Sequence, residues 1–188
     1  NKNGQKFSEE LEKRIEVKLT EEMVPVDSIN LGKATRMSDA QERYIEFCKL
    51  PFTDLDLSDL NILLDCANGA TYSVAPKVFT ELGANIETVA ANPDGININQ
   101  NCGSTNPDFL KDQMSKGNYD MGIAFDGDGD RILIISSEGN ILDGDDILFI
   151  LSQKLLPNSG VVGTLMTNKA LELHFQKNNI DFHRADVG

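Results

Sequence analysis

Residues 121–131 read Met-Gly-Ile-Ala-Phe-Asp-Gly-Asp-Gly-Asp-Arg, and this stretch decides which fold the chain can adopt. Its first half, Met121 to Phe125, is a short apolar run of the kind that forms a buried β-strand. Three carboxylates, those of Asp126, Asp128 and Asp130, then alternate with two glycines. Because α/β sheets place their ligands at the carboxyl ends of strands, the sequence predicts a buried strand that ends in an acidic binding loop.

The acidic loop favours a divalent cation. On extended backbone, three alternate carboxylates would point to one face, where they would repel one another without a cation. Glycine adopts positive φ easily, so Gly127 and Gly129 predict a tight loop on which the carboxylates converge. Hard oxygen ligands of this kind suit Mg²⁺ or Ca²⁺. Arg131 follows at once and could bind a phosphate beside the metal.

Two other interpretations fit part of this pattern. An exposed acidic turn is the commoner origin of alternating Asp and Gly, but the preceding buried strand and the following arginine favour a ligand site. An EF-hand calcium loop needs Gly at its sixth position and Glu at its twelfth. Counted from Asp126, those positions hold Arg131 and Ser137, which excludes the EF-hand.

Segments on both sides of the loop alternate between strand and helix patterns. Strands are predicted at residues 61–65, 86–90, 121–125, 131–136, 161–165 and 180–184. Helices are predicted at residues 8–23, from 38, at 73–82, from 107, from 145 or 146 to 156, and at 168–176. Residues 24–37 and 92–106 are a connector and a long turn-rich loop, and residues 138–140 are a hairpin turn. This alternation predicts an α/β fold with mixed, mostly parallel sheets flanked by helices.

Local signals also predict helix starts and faces. Ser38 followed by Gln41 predicts a capping box, and Asp145 or Asp146 is predicted to cap the later helix. Pro107 suits the first position of its helix, after an Asn106 cap. The predicted buried stripe of the second helix contains Ala40, Tyr44, Phe47 and Cys48.

Composition excludes several classes of protein. The 188 residues are 40% hydrophobic and 25% charged, which is typical of a globular protein. A net charge of −13 disfavours a nucleic-acid partner. No apolar run reaches the ~20 residues that span a bilayer, so no membrane partner is expected. Three separated cysteines without a C-x-x-C pair fit a reducing cytoplasm.

At the acidic loop the sequence resembles the α-D-phosphohexomutase superfamily, whose metal loop reads Asp-Gly-Asp-x-Asp-Arg. More narrowly, it resembles the phosphoglucosamine mutase branch. Further segments that carry this resemblance occur in the family's order at residues 32–34, 43–49, 65–70, 92–99, 102–105 and 162–166.

The resemblance implies three domains in this chain: residues 1–33 as the tail of a first domain, 34–140 as a metal-binding second domain, and 141–188 as the start of a third. It implies a cytoplasmic isomerase that interconverts glucosamine 6-phosphate and glucosamine 1-phosphate, on the route to UDP-N-acetylglucosamine and cell wall. The phosphoryl group would pass through an enzyme phosphoserine. Glucosamine 1,6-bisphosphate or glucose 1,6-bisphosphate would be the intermediate and activator. The resemblance implies a small phosphosugar as the partner and allows a homodimer as the assembly.

Site residues follow from the same resemblance. Asp126, Asp128 and Asp130 would hold one Mg²⁺, and Arg131 would help to position the phosphoryl group. Lys6, in Asn3-Gly4-Gln5-Lys6, matches a lysine near the reacting phosphate. The phosphoserine segment would precede residue 1 and the remaining sugar-binding parts would follow residue 188, so we expect this chain by itself to be inactive. Phosphomannomutase or phosphoglucomutase activity, or a non-catalytic metal-binding module, are the alternatives.

Overall fold

The computed structural model describes residues 4–155 and 160–187. The chain divides into two compact units, Asn1–Ser38 and Asp39–Gly188. The first contains helix α1 (Glu9–Thr20), which begins after Ser8, whose hydroxyl accepts a hydrogen bond from the Leu11 N–H. The helix ends before Met23, earlier than predicted, and it buries none of its residues. Residues 24–37 form the predicted connector, with one 3₁₀ turn at Ser28–Asn30.

Helix α2 (Ala40–Lys49) opens the second unit, and its predicted cap and buried face are wrong. Asp39 precedes it without a side-chain capping bond, so the capping box is absent. Ile45 is the buried residue, whereas Tyr44 and Phe47 are 56% and 69% exposed. Ile45 lies outside the predicted stripe, and tertiary contacts determine that it faces inward. Gln41 donates a hydrogen bond of 2.8 Å to the carbonyl oxygen of Ser73, which turns the Ile45 side inward.

A five-stranded sheet forms the centre of this unit. Its strands are β1 (Asn61–Asp65), β2 (Asn85–Val89), β3 (Met121–Phe125), β4 (Ile132–Ser136) and β5 (Ile141–Leu142), in the order β2-β1-β3-β4-β5. β1 runs parallel to β2 and β3, while the β3–β4 and β4–β5 pairs are antiparallel. The predicted first four strands lie within one residue of these bounds. Since β1, β2 and β3 are parallel, the segments that follow them meet at one edge of the sheet.

Two helices make the crossovers between the parallel strands. α3 (Ala75–Glu81) follows a 3₁₀ turn at Ala70–Ser73, has Pro76 in its first turn, and ends before Gly83, whose φ is +102°. α4 (Pro107–Met114) starts at its proline as predicted, although the Asn106 side chain makes no capping bond.

The sheet separates two apolar clusters, one on each face. The first comprises Ile62, Leu64, Cys66, Ala75, Ala84 and Ile123. The second comprises Leu63, Leu110, Ala124 and Ile135. Consecutive residues of β1 thus face opposite clusters, which explains why this strand is almost entirely buried and reads as a continuous apolar run.

A second, two-stranded parallel sheet pairs β6 (Val161–Thr164) with β7 (Phe182–Ala185). Helices α5 (Gly144–Leu155) and α6 (Lys169–Lys177) contribute residues to the apolar cluster of this sheet. The predicted cap of α5 is wrong, because it is the Asp143 carboxylate that accepts hydrogen bonds from the N–H groups of Asp145 and Asp146. Asp145 instead accepts a hydrogen bond of 2.9 Å from the N–H of Asn168, at the start of α6.

The fold is therefore α/β, with mixed sheets flanked by helices, as the sequence predicts. The proposed domain limits at residues 33 and 140 stay a prediction. Among residues 4–155 and 160–187, no helix has the length and apolar character needed to cross a membrane.

We expect Phe175→Ala to lower the free energy of unfolding by about 3–5 kcal/mol, because this fully buried ring stacks on Phe182 in the core of the second sheet. Leu173→Ala is the matched control, since Leu173 lies on the same helix and is 53% exposed; it should change stability by less than about 0.5 kcal/mol. Urea titration followed by circular dichroism measures both. Equal losses would contradict the assigned core.

Candidate metal centre

The acidic loop is the turn of the β3–β4 hairpin. The Asp126 N–H donates a hydrogen bond to the carbonyl oxygen of Arg131, and the Gly129 N–H donates one to the carbonyl oxygen of Asp126. This folded turn brings the carboxylates of Asp126, Asp128 and Asp130 together, so that one oxygen from each lies within 4.8 Å of the others. The predicted ligand residues therefore converge.

The two glycines of the loop serve different purposes. Gly129 has a φ of +77°, as predicted, whereas Gly127 does not adopt positive φ. A Cβ at Gly127 would lie 2.6 Å from Asn99 Nδ2 and 2.7 Å from Ile98 Cδ1, so a side chain there would require those two side chains to shift. The loop is thus packed against residues 98 and 99.

The donor set fits a hard divalent cation. Octahedral Mg²⁺ with oxygens at about 2.1 Å places neighbouring ligand atoms about 3 Å apart and opposite ones about 4.2 Å apart. The carboxylate oxygens lie within 4.8 Å of one another, which is close to that range. Asp126 is fully buried while Asp128 and Asp130 are exposed, so the protein covers one side of the site and leaves the other open.

The carboxylates influence one another's protonation. Hydrogen bonding with Asp126, with the charges of Asp130 and Asp126, raises the pKa of Asp128. Burial disfavours ionisation of Asp126, but the Arg131 backbone N–H, the Asp128 carboxyl and the Arg131 guanidinium lower its pKa to about 2. Carboxylates close enough to shift one another's pKa are close enough to bind one cation together.

Arg131 lies against the carboxylates. Its Nε and Nη2 atoms are 3.0 and 2.7 Å from Asp126 Oδ2, and its backbone N–H donates to Oδ1 at 3.0 Å. Nε also lies 3.3 Å from an oxygen of Asp130. The side chain is nevertheless 66% exposed, which leaves part of the guanidinium open to an anion. Its role in phosphoryl binding stays a prediction.

Lys6 lies in the first unit, in an exposed segment before α1. Asn3, from the same predicted motif, is outside the described residues. The acidic loop belongs to the second unit. The role assigned to Lys6 therefore stays a prediction.

Asp65 is a feature of the site region to which the sequence pattern assigned no role. It ends β1, is fully buried, and accepts hydrogen bonds from the N–H groups of Ala67 at 2.9 Å and Gly103 at 2.6 Å. Burial raises its pKa, and these two hydrogen bonds oppose that effect. In the sequence, the signal that could have indicated a role for Asp65 is its position at the end of a mainly apolar strand, directly before a turn.

The loop at residues 92–106, predicted mainly as turn structure, also reaches the site. Its Asn99 N–H donates to the carbonyl oxygen of Ala67, and its Ser104 N–H donates to that of Phe125, each at 2.8 Å. Asn99 adopts a positive φ of 56°, which asparagine tolerates better than most residues. The loop therefore supports the acidic turn from one side.

Comparison with known proteins agrees with this architecture. Residues 42–139 match the family model described as phosphoglucomutase/phosphomannomutase, alpha/beta/alpha domain II, and residues 143–188 match that of domain III. The chain belongs to the phosphoglucomutase/phosphomannomutase family. The acidic turn between β3 and β4 lies inside the part that matches domain II.

Curated members of this family resemble the chain along its length. A phosphoglucosamine mutase of Marinomonas sp. is 50% identical over 98% of this chain, and one of Legionella pneumophila is 47% identical over 99%. In both cases the match covers 42% of the relative. The chain thus spans about two fifths of the length of these relatives.

Solved structures of family members share the fold. A phosphoglucomutase/phosphomannomutase family protein from Burkholderia thailandensis aligns with a TM-score of 0.65 and 23% identity, over 79% of this chain and 33% of its own. A putative phosphomannomutase from Thermus thermophilus aligns with a TM-score of 0.64 and 18% identity, over 84% of this chain and 38% of its own.

Gly69→Ala should lower the free energy of unfolding by about 1–3 kcal/mol, because the new Cβ would meet backbone that cannot rotate away. It would lie 2.2 Å from the carbonyl oxygen of Gly127. Gly144→Ala is the control, since nothing lies within 4 Å of its Cβ position; it should be neutral or stabilising. Urea unfolding distinguishes the two, and an unaffected Gly69→Ala protein would refute the close packing of residue 69 on the acidic turn.

Proposed function

We propose that this chain is the metal-binding portion of a phosphoglucosamine mutase, an enzyme that interconverts glucosamine 6-phosphate and glucosamine 1-phosphate. The observation that carries the proposal is the convergence of three carboxylates on one turn at the edge of an α/β sheet. Relatives about half identical over nearly the whole chain, all named phosphoglucosamine mutase, support this sugar over mannose or glucose.

Asp126, Asp128 and Asp130 are the proposed ligands of one Mg²⁺ per site. When bound, the ion would supply Lewis-acid stabilisation of charge on a transferring phosphoryl group. The buried Asp126 carboxylate is oriented by Arg131, while the two exposed carboxylates face the open side. That arrangement leaves coordination positions for ligands from outside this chain.

The chain's cations would balance charge around the phosphoryl group. Arg131 already neutralises Asp126 and keeps an exposed part of its guanidinium, which suits contact with a phosphate oxygen. Lys6 is the second proposed catalytic group, as an electrostatic or proton-transfer partner. The proposed reaction also needs an enzyme phosphoserine and a bisphosphorylated sugar, either glucosamine 1,6-bisphosphate or glucose 1,6-bisphosphate. Its proposed purpose is the cytoplasmic synthesis of UDP-N-acetylglucosamine and cell wall. A homodimer is the assembly we propose to test.

Asp128→Asn should raise the dissociation constant for Mg²⁺ more than about tenfold, because one of three charged ligands is lost. Isothermal titration of the chain with MgCl₂ measures this. Asp112→Asn is the matched control, because it removes a carboxylate that is exposed on α4 and pairs with Lys116. It should leave the affinity for Mg²⁺ unchanged. Equal affinities of the wild-type chain and the Asp128→Asn variant would exclude the assigned ligand set.

The full-length gene product, assayed with Mg²⁺, should convert glucosamine 6-phosphate to glucosamine 1-phosphate faster than it converts mannose or glucose phosphates. Chelation of the metal should abolish turnover. The 188-residue chain alone should show no turnover, since it spans 42% of the relatives' length. Preference for mannose or glucose phosphate would favour the alternative sugars, and inactivity on every hexose phosphate would favour a non-catalytic metal-binding module.

A further inference from the structure

Three segments meet at the edge of the sheet where β1 and β3 end: the turn at residues 66–70, the loop at residues 92–106 and the acidic turn at residues 126–131. We call them the edge segments. Asp65, whose position in β1 is paired with Ala124 of β3, lies directly beneath this meeting point. It is fully buried, and it is not one of the three carboxylates that converge on the acidic turn.

The Asp65 carboxylate ties two of the edge segments to each other. Oδ1 accepts a hydrogen bond from the Ala67 N–H in the first turn, and Oδ2 accepts one from the Gly103 N–H in the long loop. Gly103 has a φ of +78°, and a Cβ there would lie 2.8 Å from both Ala67 Cβ and the carbonyl oxygen of Phe125. The two segments therefore approach each other through glycine backbone beside the last residue of β3.

The same two segments then hold the acidic turn from both sides. The Ala70 N–H donates to the carbonyl oxygen of Gly127, and the Ser104 N–H donates to that of Phe125, each at 2.8 Å. Ser104 follows directly after Gly103, and Phe125 directly precedes Asp126. Ala67, which donates to Asp65, lies three residues before Ala70, and Gly103 lies one residue before Ser104. Each donor to Asp65 is thus close in sequence to a donor that fixes the acidic turn.

We propose that Asp65 is a positioning residue for the metal site: it fixes the two segments that hold the acidic turn, and so keeps the three ligand carboxylates convergent before the cation binds. The proposal rests on the proposed function for the presence and the identity of the ion. Groups that orient ligands without touching the metal commonly influence metal affinity, because misplaced ligands must be reorganised on binding.

A carboxylate is required at this position because two N–H donors converge on it. An asparagine amide offers one oxygen and one NH₂, so one of the two N–H groups would face a donor instead of an acceptor. Asp65→Asn keeps the size of the side chain while it breaks one of the two connections. It is therefore the sharpest available substitution.

We expect Asp65→Asn to weaken Mg²⁺ binding about 10- to 100-fold in the folded chain, as measured by isothermal titration below its melting temperature. Leu110→Ala is the control for loss of stability alone. Leu110 is fully buried in the cluster of Leu63, Ala124 and Ile135, and its apolar side chain can make no hydrogen bond to the edge segments. That variant should keep its dissociation constant within about twofold of the wild type.

A second measurement needs no variant. Coupling between two sites is reciprocal, so Mg²⁺ should slow amide hydrogen exchange in residues 66–70 and 103–104 of the wild-type chain, as well as in the acidic turn. Unchanged affinity in folded Asp65→Asn, or protection confined to residues 126–131, would overturn the positioning role while leaving the metal site intact. A wild-type chain that fails to bind Mg²⁺ would overturn both this inference and the proposed function.

Discussion

The pairing of Arg131 with Asp126 is the interaction on which the acidic turn depends. Asp126 is fully buried, and an ionised carboxylate is tolerated there only because it is paired and hydrogen-bonded. The partner comes from five residues later, on the other side of the same turn, and it contributes both its backbone N–H and its guanidinium. One buried charge thereby anchors the turn, and the two exposed carboxylates can point toward a cation.

Close backbone packing is the second requirement. Gly69 and Gly127 approach so closely that no side chain fits between them, and Gly103 packs in the same way against the end of β3. Such contacts connect the acidic turn to the interior of the unit, although the turn itself lies at the surface. Ligands on backbone that is fixed by packing are positioned more accurately than ligands on a free loop. Accurate positioning suits the electrostatic stabilisation proposed for phosphoryl transfer.

The acidic turn lies in the part of the chain that matches domain II of the phosphoglucomutase/phosphomannomutase family. The chain spans about two fifths of its curated relatives, and its acidic turn is open on the side away from the sheet. Within the described residues, Leu19 on α1 and Tyr44 and Phe47 on α2 are apolar and exposed. The geometry suits one part of a composite active site, to which the proposed phosphoserine and sugar-binding groups would be added.

The sequence by itself determined four of the five strands of the main sheet, all but the two-residue β5, together with the acidic turn. Apolar runs, glycines and alternating carboxylates are local signals that few structures satisfy. Only the tertiary structure decided which face of α2 is buried, and that Gly127 packs against residues 98 and 99 without adopting positive φ. It also decided that Asp65 connects two segments through Gly103, 38 residues away along the chain. These outcomes depend on which neighbours the fold brings together, and a local pattern carries no information about atoms that are distant in sequence.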